Sequence, residues 1–267
     1  MNPCATPSSQ SGRAIGGSIF SRILVGIDGS EAGFEACRQV ARLAEREAEI
    51  DAVAVVHLGP AVDAAHVVDE LEREAEDALE HAVEILGGRA QKRYLDGFGF
   101  VTPALLAELE GFGATLVALG THEHRRIAEI IFGGVAGEML HKAPCSVMIA
   151  RRCPSEAFPR KIVVGHDGSP QADDALRIAR QLAARFGSTV RVITSLVGEF
   201  VDLDLLRERT HAEVIAQHPV VALVDATRDA DLLVVGSRGL HGLKALGSVS
   251  ERVAHDASCS VLVVRTA

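Results

Sequence analysis

Apolar residues in this chain gather in short runs: Ile23 to Ile27, Ala52 to Val56, Leu116 to Leu119 and Val147 to Ala150. A second series follows at Ile162 to Gly165, Val190 to Ile193, Leu232 to Val235 and Val261 to Val264. Runs of this length, closed by turn residues such as Asp-Gly-Ser, read as strands buried on both faces of a parallel sheet. After the first strand of each series the period lengthens to that of an amphipathic helix, roughly Ala32 to Glu47 and Ala172 to Phe186. Strands alternating with helices imply right-handed βαβ units and a helix-covered parallel sheet in each half.

The two series are copies. Ser21-Arg-Ile-Leu-Val-Gly-Ile-Asp-Gly-Ser30 returns as Arg160-Lys-Ile-Val-Val-Gly-His-Asp-Gly-Ser169. Ala114-Thr-Leu-Val-Ala-Leu-Gly120 returns as Ala230-Asp-Leu-Leu-Val-Val-Gly236, and Ala143-Pro-Cys-Ser-Val147 as Ala257-Ser-Cys-Ser-Val261. A repeat this long is a duplicated domain, not a solenoid unit. The expected organisation is a disordered tail over 1–19, one domain over 20–150, a linker over 151–159 and a second domain over 160–267. The copies differ in the middle: 139 positions separate Asp28 from Asp167, but 116 separate Gly120 from Gly236. The second copy therefore lacks 23 residues, about the size of one helix and its turns. Only Asp202 to Arg209 offers a helical turn or two there, so one face of the second sheet is expected to be thinly covered.

Composition narrows the function. Aromatic residues are 4% of the 267, with no Trp, which argues against base-stacking platforms. A formal net charge of −9 argues against a general grip on nucleic-acid backbones. Much of the acidity lies between Asp69 and Glu84, beside an apolar stripe from Leu71 to Leu86. That segment reads as a solvated helix face over a buried stripe, with a docking face for a basic partner as the alternative. The five cysteines (4, 37, 145, 153, 259) show no metal-ligand spacing, and Cys145 and Cys259 read as small core residues. The odd count and the lack of a signal peptide fit a reducing cytoplasm, and no run is long enough for a spanning helix.

The candidate chemistry lies in the second half. The strand ending at Val235 runs into Gly236-Ser-Arg-Gly239, and Gly247-Ser248 opens a further helix. Glycines at a strand's carboxyl end let backbone N–H groups approach a ligand, and a helix start adds partial positive charge. Asp167 ends the first strand of that half at the same sheet edge, where a carboxylate can accept from an adenine amino group or a ribose hydroxyl. The spacing is neither a Walker A loop nor the dinucleotide fingerprint.

Taken together, Val-Gly-His-Asp-Gly-Ser169, Val-Val-Gly-Ser-Arg-Gly239, Gly-Ser-Val-Ser-Glu-Arg-Val253 and Cys259-Ser-Val-Leu-Val-Val264 resemble the universal stress protein family, as a tandem pair over about residues 20 to 265. The resemblance implies two Rossmann-like α/β domains of the adenine nucleotide α-hydrolase type. Each would have a five-stranded parallel sheet, and the last strands would pair antiparallel in an intrachain pseudo-dimer. It implies an adenine-nucleotide ligand, ATP with Mg2+ or alternatively AMP. Asp167 would meet the adenosine, beside His166; Gly236, Arg238 and Gly239 would wrap ribose and phosphates; Gly247, Ser248, Val249 and Ser250 would hold phosphates. It implies a stress-response regulator in the cytoplasm with slow hydrolysis at most; no well-placed general base or metal carboxylate pair stands near the motif, so no catalytic residue and no metal site are expected. Neither nucleic acid nor membrane is an expected partner, and a homodimer is compatible.

The sequence departs from that pattern in three places. Seven residues separate Gly239 from Gly247 where the family's binders have nine. In the first copy Glu123 stands where the second Gly belongs, and Gly134 replaces the hydroxyl residue, so Asp28 and Gly120 mark a degenerate site. The loop of the related α-hydrolase enzymes, Ser-Gly-Gly-x-Asp-Ser, is absent: that position reads Ile27-Asp-Gly-Ser-Glu-Ala32.

Plainer readings of the same residues stand beside these. Ser248 with Glu251 forms a capping box. Asp28 and Asp167 can be turn formers ahead of Gly-Ser. His166 either tunes the charge of Asp167 or packs as a strand-end histidine. His122, His124, Arg125 and Arg126 suit a solvated loop. The competing function is an interaction module of the same fold that binds no nucleotide.

Overall fold

The computed structural model describes residues 18–56, 65–96, 100–121, 134–153, 157–197, 203–237 and 248–265. The first half runs β1 (Arg22–Ile27), α1 (Glu31–Leu43), β2 (Glu49–Val56), α2 (Ala65–Ile85), β3 (Ala90–Asp96), α3 (Val101–Phe112), β4 (Leu116–Gly120), α4 (Val135–Lys142) and β5 (Ser146–Ala150). The second runs β6 (Lys161–Gly165), α5 (Pro170–Phe186), β7 (Thr189–Ser195), α6 (Leu203–Thr210), β8 (Glu213–Ile215), α7 (Pro219–Ala226), β9 (Leu232–Gly236), α8 (Ser248–Asp256) and β10 (Ser260–Val264).

The ten strands among the described residues form one sheet in the order β3-β2-β1-β4-β5-β10-β9-β6-β7-β8. Each half is a five-stranded parallel sheet of Rossmann-like type, and β5 meets β10 antiparallel with Met148 opposite Leu262. That pairing makes the pseudo-dimer and removes two apolar edges that would otherwise invite aggregation. One face of the sheet is covered by α1, α2 and α5, through residues such as Val40, Leu79 and Leu182. The other is covered by α3, α4, α7 and α8, through Leu109, Met139, Leu223 and Val253.

Ser30 and Ser169 start α1 and α5 by accepting the backbone N–H of Gly33 and Ala172, at 3.1 and 3.2 Å. The amphipathic pattern suggested that α1 runs to about Glu47, but it stops at Leu43. There the Arg185 guanidinium from α5 donates to the carbonyls of Leu43 and Ala44, at 2.8 and 2.9 Å. A long-range cap therefore ends the helix before its pattern does. Ser18 and Ile19, expected within a disordered tail, are placed: Ile19 packs against the core and its N–H donates to Glu45 at 3.3 Å. The rest of that tail lies outside the described residues. The connector between the halves is also packed, with Arg151 and Phe158 buried.

Where the first half has α2, 21 residues long, the second has α6, with 8. Ile50 on β2 is 2% exposed, whereas Val190, its counterpart on β7, is only half-buried.

Candidate functional site

In each half the chain leaves the first strand toward one face of the sheet and the fourth strand toward the other. A crevice opens where the two neighbours diverge, at their carboxyl ends, the usual ligand position in α/β sheets. In the second half these strands are β6 and β9, with Gly165 beside Val235. His166 and Asp167 extend one side of the crevice, and Gly236 and Ser237 the other.

Two helix starts converge on Gly236. A Cβ built there would lie 2.5 Å from the Gln171 carbonyl oxygen, so glycine is what lets the first turn of α5 sit on the end of β9. The first turn of α8 is held to the same residue, because the Ser250 hydroxyl donates to the Gly236 carbonyl at 2.9 Å. Ser250 is thus an anchor, and the Val249 side chain packs toward the core. The α8 backbone is helical from Ser248. Arg238, Gly239 and Gly247 lie outside the described residues, as does the Ser248 side chain.

Asp167 is exposed, and its Oδ1 accepts the Ser169 N–H at 3.0 Å, so the turn-forming role is real. Gly168 takes a φ of 83°, a left-handed value that glycine adopts without strain. His166 differs from its neighbour in burial, at 3% exposed. Its Nδ1 accepts the Gly168 N–H at 3.1 Å, and its Nε2 lies 3.2 Å from Asp173 Oδ1. Both nitrogens are engaged within the protein, so the ring is committed to internal hydrogen bonds. Burial draws the imidazole below its ordinary range, against the opposing pull of Asp173.

The first half shares the frame. A Cβ on Gly120 would lie 2.2 Å from the Ala32 backbone, the same packing constraint as at Gly236. Asp28 Oδ1 accepts from the Ser30 N–H and hydroxyl, at 3.0 and 2.5 Å. Gly134 precedes α4 at a φ of 88° and supplies no side-chain cap. Residues 122–133, with Glu123 and the His122 and Arg125 group, lie outside the described residues. A cleft of about 570 Å³ opens over Asp28, walled by Ile27, Phe34, Ala54 and α2, and lined also by Glu74 and Asp77. It lies in the half whose glycine motif is eroded. Its wall is α2; among the described residues the counterpart of α2 in the second half is the shorter α6. Three carboxylates line the cleft, Asp28 from the loop and Glu74 and Asp77 from α2, and would oppose a triphosphate.

Sequence reading missed Asp173 and Arg209. Arg209 on α6 reaches Asp173 at 3.2 Å and so braces the residue that holds His166. The signal was available in the repeat, since Asp173 aligns with Phe34. Among the described residues no group of His, Cys, Asp or Glu is arranged to hold a metal ion, and no helix is long and apolar enough to cross a membrane.

Comparison with known proteins agrees with this architecture. A profile described as the universal stress protein family matches residues 20–151, 159–202 and 201–265. A universal stress protein of Mycobacterium tuberculosis is 26% identical, covering 91% of this chain and 96% of that protein. One of Mycolicibacterium smegmatis is 28% identical with the same coverage. In fold, the chain is similar to a universal stress protein from Archaeoglobus fulgidus, with a TM-score of 0.73 at 22% identity over 92% of this chain and 98% of that one.

Proposed function

The chain belongs to the universal stress protein family, and on that premise we propose that its second half binds an adenine nucleotide and acts as a nucleotide-responsive regulator in the cytoplasm. ATP with Mg2+ is the first choice of ligand and AMP the alternative. One juxtaposition supports the reading: β6, which Asp167 follows, lies beside β9, which ends at Gly236, and Ser250 ties the first turn of α8 to Gly236. A carboxylate on one wall suits the donors of an adenosine. The N–H groups of a helix start on the other suit phosphate. By the motif, Arg238, Gly239, Gly247, Ser248 and the backbone of Val249 and Ser250 complete the phosphate side. We assign no catalytic residue, and the proposal includes slow hydrolysis at most.

Mass spectrometry of gently purified protein, looking for carried ATP or AMP, is the first test. Calorimetry with Mg-ATP is the second. Asp167→Ala and Ser248→Ala should each weaken binding by about five- to a hundredfold, the loss of one charge-assisted contact. A parent protein that neither carries nor binds nucleotide would leave the interaction-module reading. That reading draws support from the inward commitment of the His166 ring and the Ser250 hydroxyl.

A further inference from the structure

Beside the Asp28 loop the contacts are apolar and aromatic. Ile27 is buried, and Phe34 meets the His81 ring of α2 edge-on, with centroids 4.7 Å apart. The offset that carries Asp28 to Asp167 carries Ile27 to His166 and Phe34 to Asp173. In place of His81 on α2 stands Arg209 on α6, bonded to both Asp173 oxygens at 3.3 and 3.2 Å. An aromatic contact in one half is therefore replaced by a polar relay in the other: Arg209, Asp173, His166, then the Gly168 N–H.

Bond direction along the relay is determined. The Gly168 N–H can only donate, so Nδ1 of His166 is the unprotonated nitrogen. The ring proton is then on Nε2 and is given to Asp173. The residue before Asp167 and the residue after it are thus joined through one neutral imidazole, with Asp167 at the apex of the loop they close.

We propose that His166 is the positioning residue of the nucleotide site: its neutral ring holds the Asp167 loop in the binding conformation and releases it on protonation, while Asp173 and Arg209 brace the ring against α6. The proposal rests on the second half being the nucleotide site. A proton added to Nδ1 would point at the Gly168 N–H across 3.1 Å, setting donor against donor, and one of them must turn away. Among the described residues, the charged groups acting on the ring are Asp173 from α5, Asp167 from its own loop and Arg209 from α6. The two carboxylates favour the protonated ring and Arg209 opposes it, but burial is the largest influence and keeps the value below 6.5. A depressed value means the contact is fully present above about pH 6.5 and is lost as pH falls through the lower folded-state value. The half that has Ile27 at this position is the half whose motif is eroded.

The test uses the full chain. Mg-ATP affinity is measured by calorimetry between about pH 8 and pH 5.5 for the parent, His166→Asn and His166→Ile. In the same proteins, free of ligand, nuclear magnetic resonance follows the ring and the Gly168 amide. The asparagine carbonyl can accept from Gly168 but does not titrate; isoleucine copies the first half. Because the terminal phosphate of ATP takes up a proton in this range, the difference between parent and variant is the readout. At the upper pH, His166→Asn should match the parent and His166→Ile should bind about five- to tenfold more weakly, the size of one neutral hydrogen bond. On acidification the parent should lose about that factor more than His166→Asn, with the Gly168 amide moving at the midpoint of the ring. A Gly168 amide indifferent to ring titration, or equal pH dependence in parent and His166→Asn, would overturn the positioning role alone. Absence of binding by the parent at the upper pH would sink the nucleotide reading and this proposal with it.

Discussion

The guanidinium of Arg151, just past β5, lies 2.6 Å from the carbonyl oxygen of Ala254 in the last turn of α8, in the other half of the molecule. It also donates to His255 and Cys259, at 3.1 and 3.2 Å. Arg265, just past β10, returns the contact: it donates to the Leu140 carbonyl and, at 2.5 Å, to that of Ala143 at the end of α4. Each half thus caps the last helix of the other, where unpaired carbonyls and the negative helix end favour a cation. Ser146 and Ser260 repeat the reciprocity, bonding the backbone of Arg265 and Arg151.

Arg151→Met should therefore destabilise the whole pseudo-dimer by about 2–4 kcal/mol, since buried carbonyls lose charged donors. Arg151→Lys should recover little of it, because one ammonium nitrogen lacks the planar two-nitrogen fork that reaches Cys259 on one side and Ala254 and His255 on the other. Urea unfolding followed by circular dichroism reads the cost, and a loss within about 0.5 kcal/mol for Arg151→Met would contradict the clamp.

Gly120 and Gly236 should prove equally intolerant of a side chain, although only one half is assigned a ligand. At both positions a Cβ would meet backbone atoms of the neighbouring helix at 2.5 Å or less. Gly120→Ala and Gly236→Ala are each expected to cost on the order of 2 kcal/mol or more, from the strain of overpacking against backbone. If Gly120→Ala were neutral in thermal unfolding while Gly236→Ala lost only nucleotide binding, the glycine would be a ligand residue and not a packing one.

The first half should not take up ATP, so calorimetry on the intact chain should give one site per chain. Asp28, Glu74 and Asp77 line its cleft. Even at an effective dielectric of about 20, a carboxylate about 4 Å from a phosphate charge opposes it by about 4 kcal/mol before screening. A stoichiometry near two, or ATP beside Asp28 in a crystal, would show this expectation to be wrong.

Three thiols should resist alkylation in the native protein. Burial pushes Cys37 and Cys259 up to about 12 and Cys145 up to about 11. The thiolate is the reactive form, so at neutral pH these residues should react only on unfolding. Half-buried Cys153 should react sooner in a Cys4→Ser background. Peptide mapping after maleimide treatment checks the order, and early labelling of Cys259 would refute it.

The sequence by itself determined the duplication and most of the strands, and it pointed to where a site is proposed. Central parallel strands bury both faces, so β1, β4, β5, β6, β9 and β10 stand out as apolar runs. Alternating elements then dictate where the switch-point crevice falls. The same logic hid β3, whose Gln91, Lys92 and Arg93 are exposed at the sheet edge and leave no apolar run. Tertiary structure alone decided where α1 ends, because the Arg185 cap comes from 142 residues away. It also decided that Gly236 serves helix packing, that Ser250 is an anchor and that the His166 ring faces inward. Residue type and spacing report burial and backbone period, which are local. Which donor meets which acceptor depends on how the elements are brought together. Arg151 and Arg265 look like ordinary charged residues after a strand until the antiparallel β5–β10 register sets each against the other's helix end.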